Sequence, residues 1–523
     1  MRLPAEMLAR ALELIAARLG LQFSESRRAD LERCLLSACR EEGVWPPEAY
    51  LTRLAAEADG SLAWKRLIAG LTVGETYFFR DPAVFAALER SVLPDLIAAR
   101  RTEGVRCLRL WSAGCATGEE PYSLAILLDR LLPDRAEWGL TILATDINLT
   151  TLQSAMRGCY RAWATRETPP EIRDRYFLRR EAETFELQPE IRRMVTFAPL
   201  NLAADGYPSA ITNTSAMDII FCRNVLMYLG PDVQRAVIAR LSRALAPGGW
   251  LMVSPAEAAA ELFRPLMPVN FPGTIFYRKE ATGDQGIGVG GWGGLGVRGW
   301  GEEIADVRFG ILDTVLTASA ATAKDDGFQE FGADSQEARG WDRAAANLPA
   351  DQNQIPIPQP LAPNPQSPTS SPYPPLLERA RLLADQGNLE EARHLCDAAL
   401  AKDRLNPRVY LLLAAIQQEQ GEVSDALGAL RRAVYLDPDA VMPHFLLGSL
   451  LLRQGKRAQG LLCMNVVTRL LSLLPCDAVL PDGDRLTAGR LLEMAREYVA
   501  LGAREGERWL GMHRSGASDV GAL

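Results

Sequence analysis

Histidine is nearly missing from this chain. Three are present in 523 residues, His394, His444 and His513, so the first 393 residues hold none. A Ser-His-Asp or Cys-His centre, a histidine-ligated zinc and a histidine general base are excluded from that stretch. Its chemistry must run without imidazole. Paired cysteines are missing as well. Nine are scattered (Cys34, Cys39, Cys107, Cys115, Cys159, Cys222, Cys396, Cys463, Cys476), none in a CxxC, and Cys222 sits in the apolar run DIIFCRNV. Reduced thiols used as small core residues fit that pattern, and no metal site is expected. Positive charge is not in excess: a net charge of −8 argues against a nucleic-acid binder or a polybasic membrane protein. No apolar run approaches the ~18 residues of a membrane span. The opening MRLPAEMLARALELIAARLG mixes Glu and Arg in amphipathic order and has no continuous signal-type core. A cytoplasmic protein without direct membrane insertion is expected.

With 48% hydrophobic and 23% charged residues the chain is of ordinary globular composition, and at ~150 residues per domain its length predicts two or three domains. Residues 1–85 read as an N-terminal helical domain, with Arg and Glu outside and Leu, Ile and Ala inside. Residues 86–280 alternate apolar strands with amphipathic helices, the mark of a mostly parallel α/β sheet. Ten glycines then crowd into residues 283–301, and ten of the 33 prolines into 349–375. Residues 281–372 thus read as a flexible, disordered linker, with one short helix expected near 305–323. A chain of that length spans ~50 Å, enough to let whatever follows act as a module tethered to the α/β part.

After the prolines a repeat emerges. Gly387, Gly421 and Gly455 are spaced by 34 and again by 34; Ala392, Ala426 and Gly460 keep the register, as do Ala399 and Ala433. That period, with a small residue where paired helices touch, resembles the tetratricopeptide helix-turn-helix repeat and predicts an all-α domain over 373–505, followed by a tail, 506–523. Such arrays stack into a curved surface that binds peptides or proteins. His394 and His444 are then ordinary repeat residues.

Within the α/β region, VRCLRLWSAGCATGEEPYS (105–123) is an apolar strand, a loop of small residues and a helix that Pro121 is expected to open at its first position. Small residues at this turn let a ligand approach the backbone. The next strand, LTILATD, ends in Asp146, which suits either a ribose-binding acid or a helix cap. MVTFAPLNL (194–202) and MDIIFCRNVLMYL (217–229) are two more strands ending in polar residues, and LSRALAPGGWLMV (241–253) is helix, turn and strand. Strand, small-residue loop, acidic strand end and Pro-Gly-Gly turn together resemble the class I, Rossmann-like, S-adenosylmethionine-dependent methyltransferases.

Five segments narrow the resemblance. GETYFFRDPAVF (74–85), WSAGCATGEEPYS (111–123), ATDIN (144–148), FAPLNL (197–202) and FCRNVLMYL (221–229) occur in that order. Together they resemble the chemotaxis receptor methyltransferases, the CheR family, over roughly residues 5–279, and the appended repeats resemble its tetratricopeptide-bearing members. The resemblance implies transfer of a methyl group from S-adenosyl-L-methionine to glutamate side chains of methyl-accepting chemoreceptors. It also implies an unidentified protein or peptide bound by the repeats, and recruitment to membrane receptor arrays.

Carried over residue by residue, Thr76 and Arg80 match the Thr and Arg of the family's NxTxFFR motif and would lie over the cofactor. Gly74 stands where that motif has Asn, which removes one polar contact. Glu120 matches the acid near the methionine amino group, with Glu119 as an exposed neighbour. Asp146 matches the ribose acid, Asn201 and Leu202 the pair flanking the adenine, and Arg223 with Asn224 the contact from the next strand. Tyr228 matches the tyrosine facing the transferred methyl. Arg80 and Tyr228 are the catalytic candidates, with Arg80 orienting the incoming carboxylate. Residues 176–197 would form the small antiparallel subdomain with which some members grip a receptor.

The chemistry agrees with the lack of histidine. A glutamate with a pKa near ~4.3 is already ionised at neutral pH, so its attack on a sulfonium methyl needs no general base. Alignment and desolvation remain for the protein to supply. Up to Arg53 the N-terminal helices hold eight arginines, eight acids and no lysine. Arg27, Arg28 and Arg33 are candidates for engaging a receptor, although balanced charge also describes a solvated helix face. Two other functions stay open: a small-molecule methyltransferase, which would have no use for a docking module, and a non-catalytic scaffold, for which only Gly74 speaks.

Overall fold

The computed structural model describes residues 3–57, 61–259, 261–281, 374–484 and 486–515. Apart from Ala281, the expected linker 281–372 lies outside the described residues, as does the helix expected near 305–323.

Four helices open the chain: α1 (Ala5–Leu19), α2 (Arg28–Glu41), α3 (Pro47–Ala56) and α4 (Leu62–Leu71). Their apolar stripes close over a core of their own around Ile15, Leu31, Leu35, Tyr50, Trp64 and Leu67. The Trp64 indole N–H, buried there, donates to the Leu54 carbonyl at 3.0 Å, as a buried polar group requires.

The helices of the α/β part are α5 (Pro82–Ala87), α6 (Leu93–Thr102), α7 (Glu119–Leu131), α8 (Leu149–Arg157), α9 (Pro170–Tyr176), α10 (Pro189–Arg192) and α11 (Pro231–Ala244). Its strands are β1 (Cys107–Ala113), β2 (Gly139–Asp146), β3 (Cys159–Arg161), β4 (Phe177–Arg179), β5 (Thr184–Leu187), β6 (Val195–Pro199), β7 (Met217–Phe221), β8 (Leu245–Met252), β9 (Met267–Phe271) and β10 (Thr274–Arg278). Seven of them form one sheet in the order β6-β2-β1-β7-β8-β10-β9. The first five run parallel, and β10 is antiparallel to both its neighbours. Every residue of β1 is buried, as expected for a central strand covered on both faces. One face packs under α5 to α8 and the other under α11. The chain leaves β1 in one direction for β2 and β6 and in the other for β7 and β8. The crevice at the carboxyl ends of β1 and β7 is therefore the switch point where ligands bind in such sheets.

The Pro-Gly-Gly turn is absorbed into β8 as an irregularity: the register against β7 jumps between Met217 and Ile219, and Gly248 has φ 78°. The second sheet is antiparallel, ordered β3-β5-β4. It reaches back to Cys159–Arg161, outside the range 176–197 read from the sequence, while Val195–Phe197 of that range belongs to the main sheet.

The C-terminal part is three helix pairs, α12 (Pro374–Asp385) with α13 (Leu389–Lys402), α14 (Pro407–Glu419) with α15 (Val423–Leu436), and α16 (Val441–Arg453) with α17 (Arg457–Ser472). A last helix, α18 (Ala488–Ser515), runs past the boundary expected at 505. The three register glycines do not mark helix contacts. Gly387, Gly421 and Gly455 sit in the inter-helix turns at φ 84°, 80° and 74°, a conformation costly for any residue with a Cβ. The contacts are made by Ala392 and Ala426, fully buried, and by Gly460, where a Cβ would come within 2.7 Å of Leu452.

The repeats do not stand apart from the sheet. They belong to the same compact unit, Met1–Asp284 with Pro372–Leu523. Arg109, in the middle of β1 and 2% exposed, finds its counter-charge in Glu419 of α14 at 3.7 Å. The backbone N–H of Ala210 donates to Asp385 at 2.8 Å, and Arg453 of α16 donates to the Leu140 carbonyl. These contacts cover the amino ends of β1 and β2 and leave the carboxyl ends to the N-terminal helices. A buried arginine answered by a buried glutamate explains why the repeats dock here instead of swinging on a tether.

Candidate active site

The loop after β1 is shaped by two positions that exclude side chains. Gly114 has φ 86°, and a Cβ there would lie 2.4 Å from Val225 Cγ2; Gly118 has φ 91°, and a Cβ would lie 2.8 Å from Ala155 Cβ. Gly118 caps α7, so the helix begins at Glu119 and Pro121 is its third residue, not its first. Proline is tolerated there because first-turn N–H groups have no partner inside the helix. Gly114 and Cys115 both donate to the Thr145 carbonyl, at 2.7 and 2.9 Å, which ties the loop to the end of β2.

Asp146 closes β2. One carboxylate oxygen accepts from the Ala116 N–H at 2.9 Å and the other from the Asn148 N–H at 2.8 Å. The helix-cap reading of Asp146 is thereby replaced, since Asn148 caps α8 by accepting from Thr150 and Thr151. Burial pushes the Asp146 pKa up and the N–H donors pull it down, with burial the stronger. Each oxygen retains a further lone pair for a ligand.

Asp146 faces a cavity of about 110 Å³ whose wall includes Gly74, Asn201, Leu202, Asn224 and Tyr228 from among the residues read in sequence. Asn201 is held on both sides of its amide, donating to the Arg18 carbonyl at 3.0 Å and accepting from the Ala203 N–H at 3.0 Å. Thr76, Arg80, Glu120 and Arg223 are outside this wall. Three of them make an adjoining ionic cluster. Arg223 lies 3.1 Å from Glu120 and also pairs with Asp81, Ser112 donates to Glu120 at 2.7 Å, and burial raises the Glu120 pKa against the opposing Arg223 and Arg80 charges. Arg80 itself donates to the Glu75 carbonyl at 2.8 Å, and Thr76 is half-buried. The buried Phe78 and Phe79 just beyond fix how this segment runs.

Glu119 departs from its expected exposure. It is 4% exposed, accepts from the Thr117 hydroxyl at 2.6 Å, and burial pushes its pKa to about 7. Glu120, by contrast, shares its burial with the Arg223 guanidinium.

Residues 74–267 match the family model described as CheR methyltransferase, SAM binding domain, and residues 383–460 match a tetratricopeptide repeat. Over 263 residues the chain is 36% identical to chemotaxis protein methyltransferase 1 of Pseudomonas aeruginosa, covering 50% of this chain and 92% of that protein. The chain belongs to the CheR methyltransferase family. It is also 31% identical over 243 residues to chemotaxis protein methyltransferase 2 of Vibrio cholerae, covering 46% of this chain and 82% of that one. The probable biofilm formation methyltransferase WspC of P. aeruginosa is 28% identical over 446 residues, 85% of this chain and 94% of the relative, so that likeness runs through both catalytic and repeat parts. The enzyme is thus an S-adenosyl-L-methionine-dependent protein-glutamate methyltransferase. No described helix is long and apolar enough to cross a membrane.

Two parts of this cavity and its surroundings were not named by the sequence as belonging to it. Arg27 lies in the cavity wall, its guanidinium 5.0 Å from the Tyr228 ring centroid and 5.3 Å from that of Phe23. The sequence offers Arg27 as a candidate for engaging a receptor or as part of a solvated helix face, not as a wall of this cavity. The segment is positioned by Gln22, whose N–H donates to the Tyr228 carbonyl at 2.8 Å. Glu257 accepts from the backbone N–H groups of Asn224, Val225 and Met227, holding the turn after β7 although Asn224 has φ 58°. A signal for it was present, because Ser254 and Glu257 have the spacing of a capping box and form one.

Proposed function

We propose that this enzyme methylates glutamate side chains of methyl-accepting chemoreceptors, and that its repeats bind a protein partner which sets where it acts. The reading rests on one arrangement: the Asp146 carboxylate stands at the end of β2 beside a Gly114 loop that admits no side chain, facing a cavity that Tyr228 and Arg27 wall. This donor set suits the cofactor. A carboxylate with free lone pairs can take ribose hydroxyls, the bare loop backbone lets a ligand come close, and Leu202 adds an apolar side chain to the wall beside the Asn201 amide. S-Adenosyl-L-methionine, when bound, supplies a methyl group activated on a positively charged sulfur.

The remaining roles belong to the chain. Glu120, balanced between burial and Arg223, would receive the amino group of the methionine end. Thr76 and Gly74 would close over that end through their segment's backbone. Arg223 and Asn224 would keep the turn after β7 in register, with Glu257 holding its N–H groups. Arg80 would orient the incoming carboxylate, and its contact with the Glu75 carbonyl leaves other guanidinium donors for that task. Tyr228 would pack beside the transferred methyl, its ring steadied by Arg27. The substrate carboxylate is ionised at neutral pH, which fits a site without histidine.

The test is to incubate the full chain with methyl-labelled S-adenosyl-L-methionine and source-cell membranes that lack the endogenous enzyme. Base-labile label released as methanol from a receptor-sized band is the expected result. Unlabelled receptor with intact cofactor binding would turn the reading towards a small-molecule substrate. Asp146→Ala should weaken cofactor binding at least about tenfold, the equivalent of one lost charged hydrogen bond. Unchanged affinity would remove Asp146 from the site.

A further inference from the structure

A second cavity, of about 180 Å³, lies on the other side of the sheet edge, between β6, the α10 segment, the α16–α17 turn and α18. Its wall contains Arg192, Arg193, Arg453 and Arg457, and no aspartate or glutamate. Some of these charges are met from outside the cavity. Arg192 is 3.9 Å from Glu186, which already binds Arg180 at 2.8 Å, and Arg193 is 3.8 Å from Glu190. Arg457 donates to the Gly502 carbonyl. Arg453 is different. It donates to the Leu140 carbonyl and has no carboxylate within ion-pair distance among the described residues. Burial, with the Arg109 charge nearby, pushes its pKa down to about 10. The Thr196 hydroxyl, in the same wall, is buried without a partner.

Several cations around one partly enclosed space repel one another more strongly than they would in water, and each loses hydration. An anion among them removes both costs. Guanidinium groups match phosphate oxygens as paired donors, and an unpartnered hydroxyl offers one more. The partly enclosed space, of about 180 Å³, admits a phosphate carrying a small organic group. The Tyr498 ring, which also lines the cavity, gives that group an apolar surface.

We propose that this cavity is a binding site for a small phosphomonoester, which bridges the repeat helices to the edge of the catalytic sheet. The ligand touches α10 and β6 on one side and α16, α17 and α18 on the other, so occupancy stabilises the docked arrangement. The site shares no wall residue with the methyl-transfer cavity.

The experiment uses the full chain and three probes, inorganic phosphate, phenyl phosphate and succinate, each against sodium chloride at matched ionic strength. Thermal unfolding and titration calorimetry are the readouts. Phenyl phosphate is expected to raise the melting temperature saturably and to bind more tightly than inorganic phosphate, with succinate without effect. Arg453→Met, which keeps the apolar stem, should weaken phenyl phosphate binding at least tenfold. Arg193→Met, at a half-exposed position, gives the same test should the first variant fail to fold. Equal stabilisation of wild type and both variants would mean general exclusion of phosphate from the surface, and would overturn the site. A succinate response equal to that of phenyl phosphate would overturn the ligand class.

Discussion

Glu119 and Glu120 are neighbours in sequence with different surroundings, and the difference is measurable. Glu120 has Arg223 beside it; Glu119 has the Thr117 hydroxyl and its own backbone N–H but no cation, and burial carries its pKa to about 7. In the unfolded chain a glutamate titrates near ~4.3. The fold therefore prefers the protonated form, and the stability it gains is full below the unfolded value and lost as pH rises towards 7. At ~1.4 kcal/mol per pKa unit that loss is on the order of 4 kcal/mol. Glu119→Gln should remove it, making the protein more stable than wild type in urea at pH 8 but not at pH 4. An equal gain at both pH values would show that the carboxyl is not responsible. Gly114→Ala tests the loop in a similar way. A left-handed φ and a methyl pressed on Val225 should together cost roughly 3 kcal/mol, with cofactor affinity lost in calorimetry. The sequence could offer Asp146, Glu120, Asn201 and Tyr228 as candidates because they stand in runs that carry their own context, and the fold brings Asp146, Asn201 and Tyr228 to one cavity. Arg27 could not be found that way, since the Tyr228 ring beneath it lies some two hundred positions along the chain.

The element that joins the two halves is the connection from β6 to β7. It leaves the cavity beside Asp146 at Asn201 and Leu202, and then Ala210 and Ile211 enter the core of the repeats. Ser215 ends it with a hydrogen bond to Glu419. Asp385 holds its middle by accepting from the Ala210 N–H, and burial pushes this carboxyl to about 6. Asp385→Ala leaves that N–H without a partner and should cost about 1–3 kcal/mol. Asp385→Asn keeps an acceptor and removes the buried charge, so its melting temperature should stay near that of wild type. If the connection transmits to Asn201, the Ala variant will also bind S-adenosyl-L-methionine more weakly in calorimetry, and the Asn variant will not. Equal cofactor affinity in both would limit Asp385 to docking. At this scale the sequence was partly legible. A 34-residue spacing of glycines showed the repeats, because the same left-handed turn recurs between helices. Strand β3 was missed because three residues carry no usable periodicity.

The docking of repeats on the sheet was not legible at all, because a Gly/Pro-rich stretch of ninety residues says only that docking is permitted. What decides it is a pair of charges that neither half could bury alone. Arg109 is inside the central strand, and Glu419, whose pKa burial raises, is its counter-ion. Removing one partner of such a pair leaves the other charged and dry, at a cost of about 3–5 kcal/mol, whereas replacing both by apolar residues of similar volume is often neutral. Glu419→Ala should therefore destabilise the catalytic part, although the substitution lies in the repeats. Arg109→Met with Glu419→Met should recover most of the loss. Scanning calorimetry of the full chain separates this picture from two independent bodies on a tether. If the pair couples them, wild type and the double variant unfold in one transition, and Glu419→Ala splits it, with the sheet melting at the lower temperature. Independent bodies would give two transitions already in wild type, and Glu419→Ala would shift only the one belonging to the repeats.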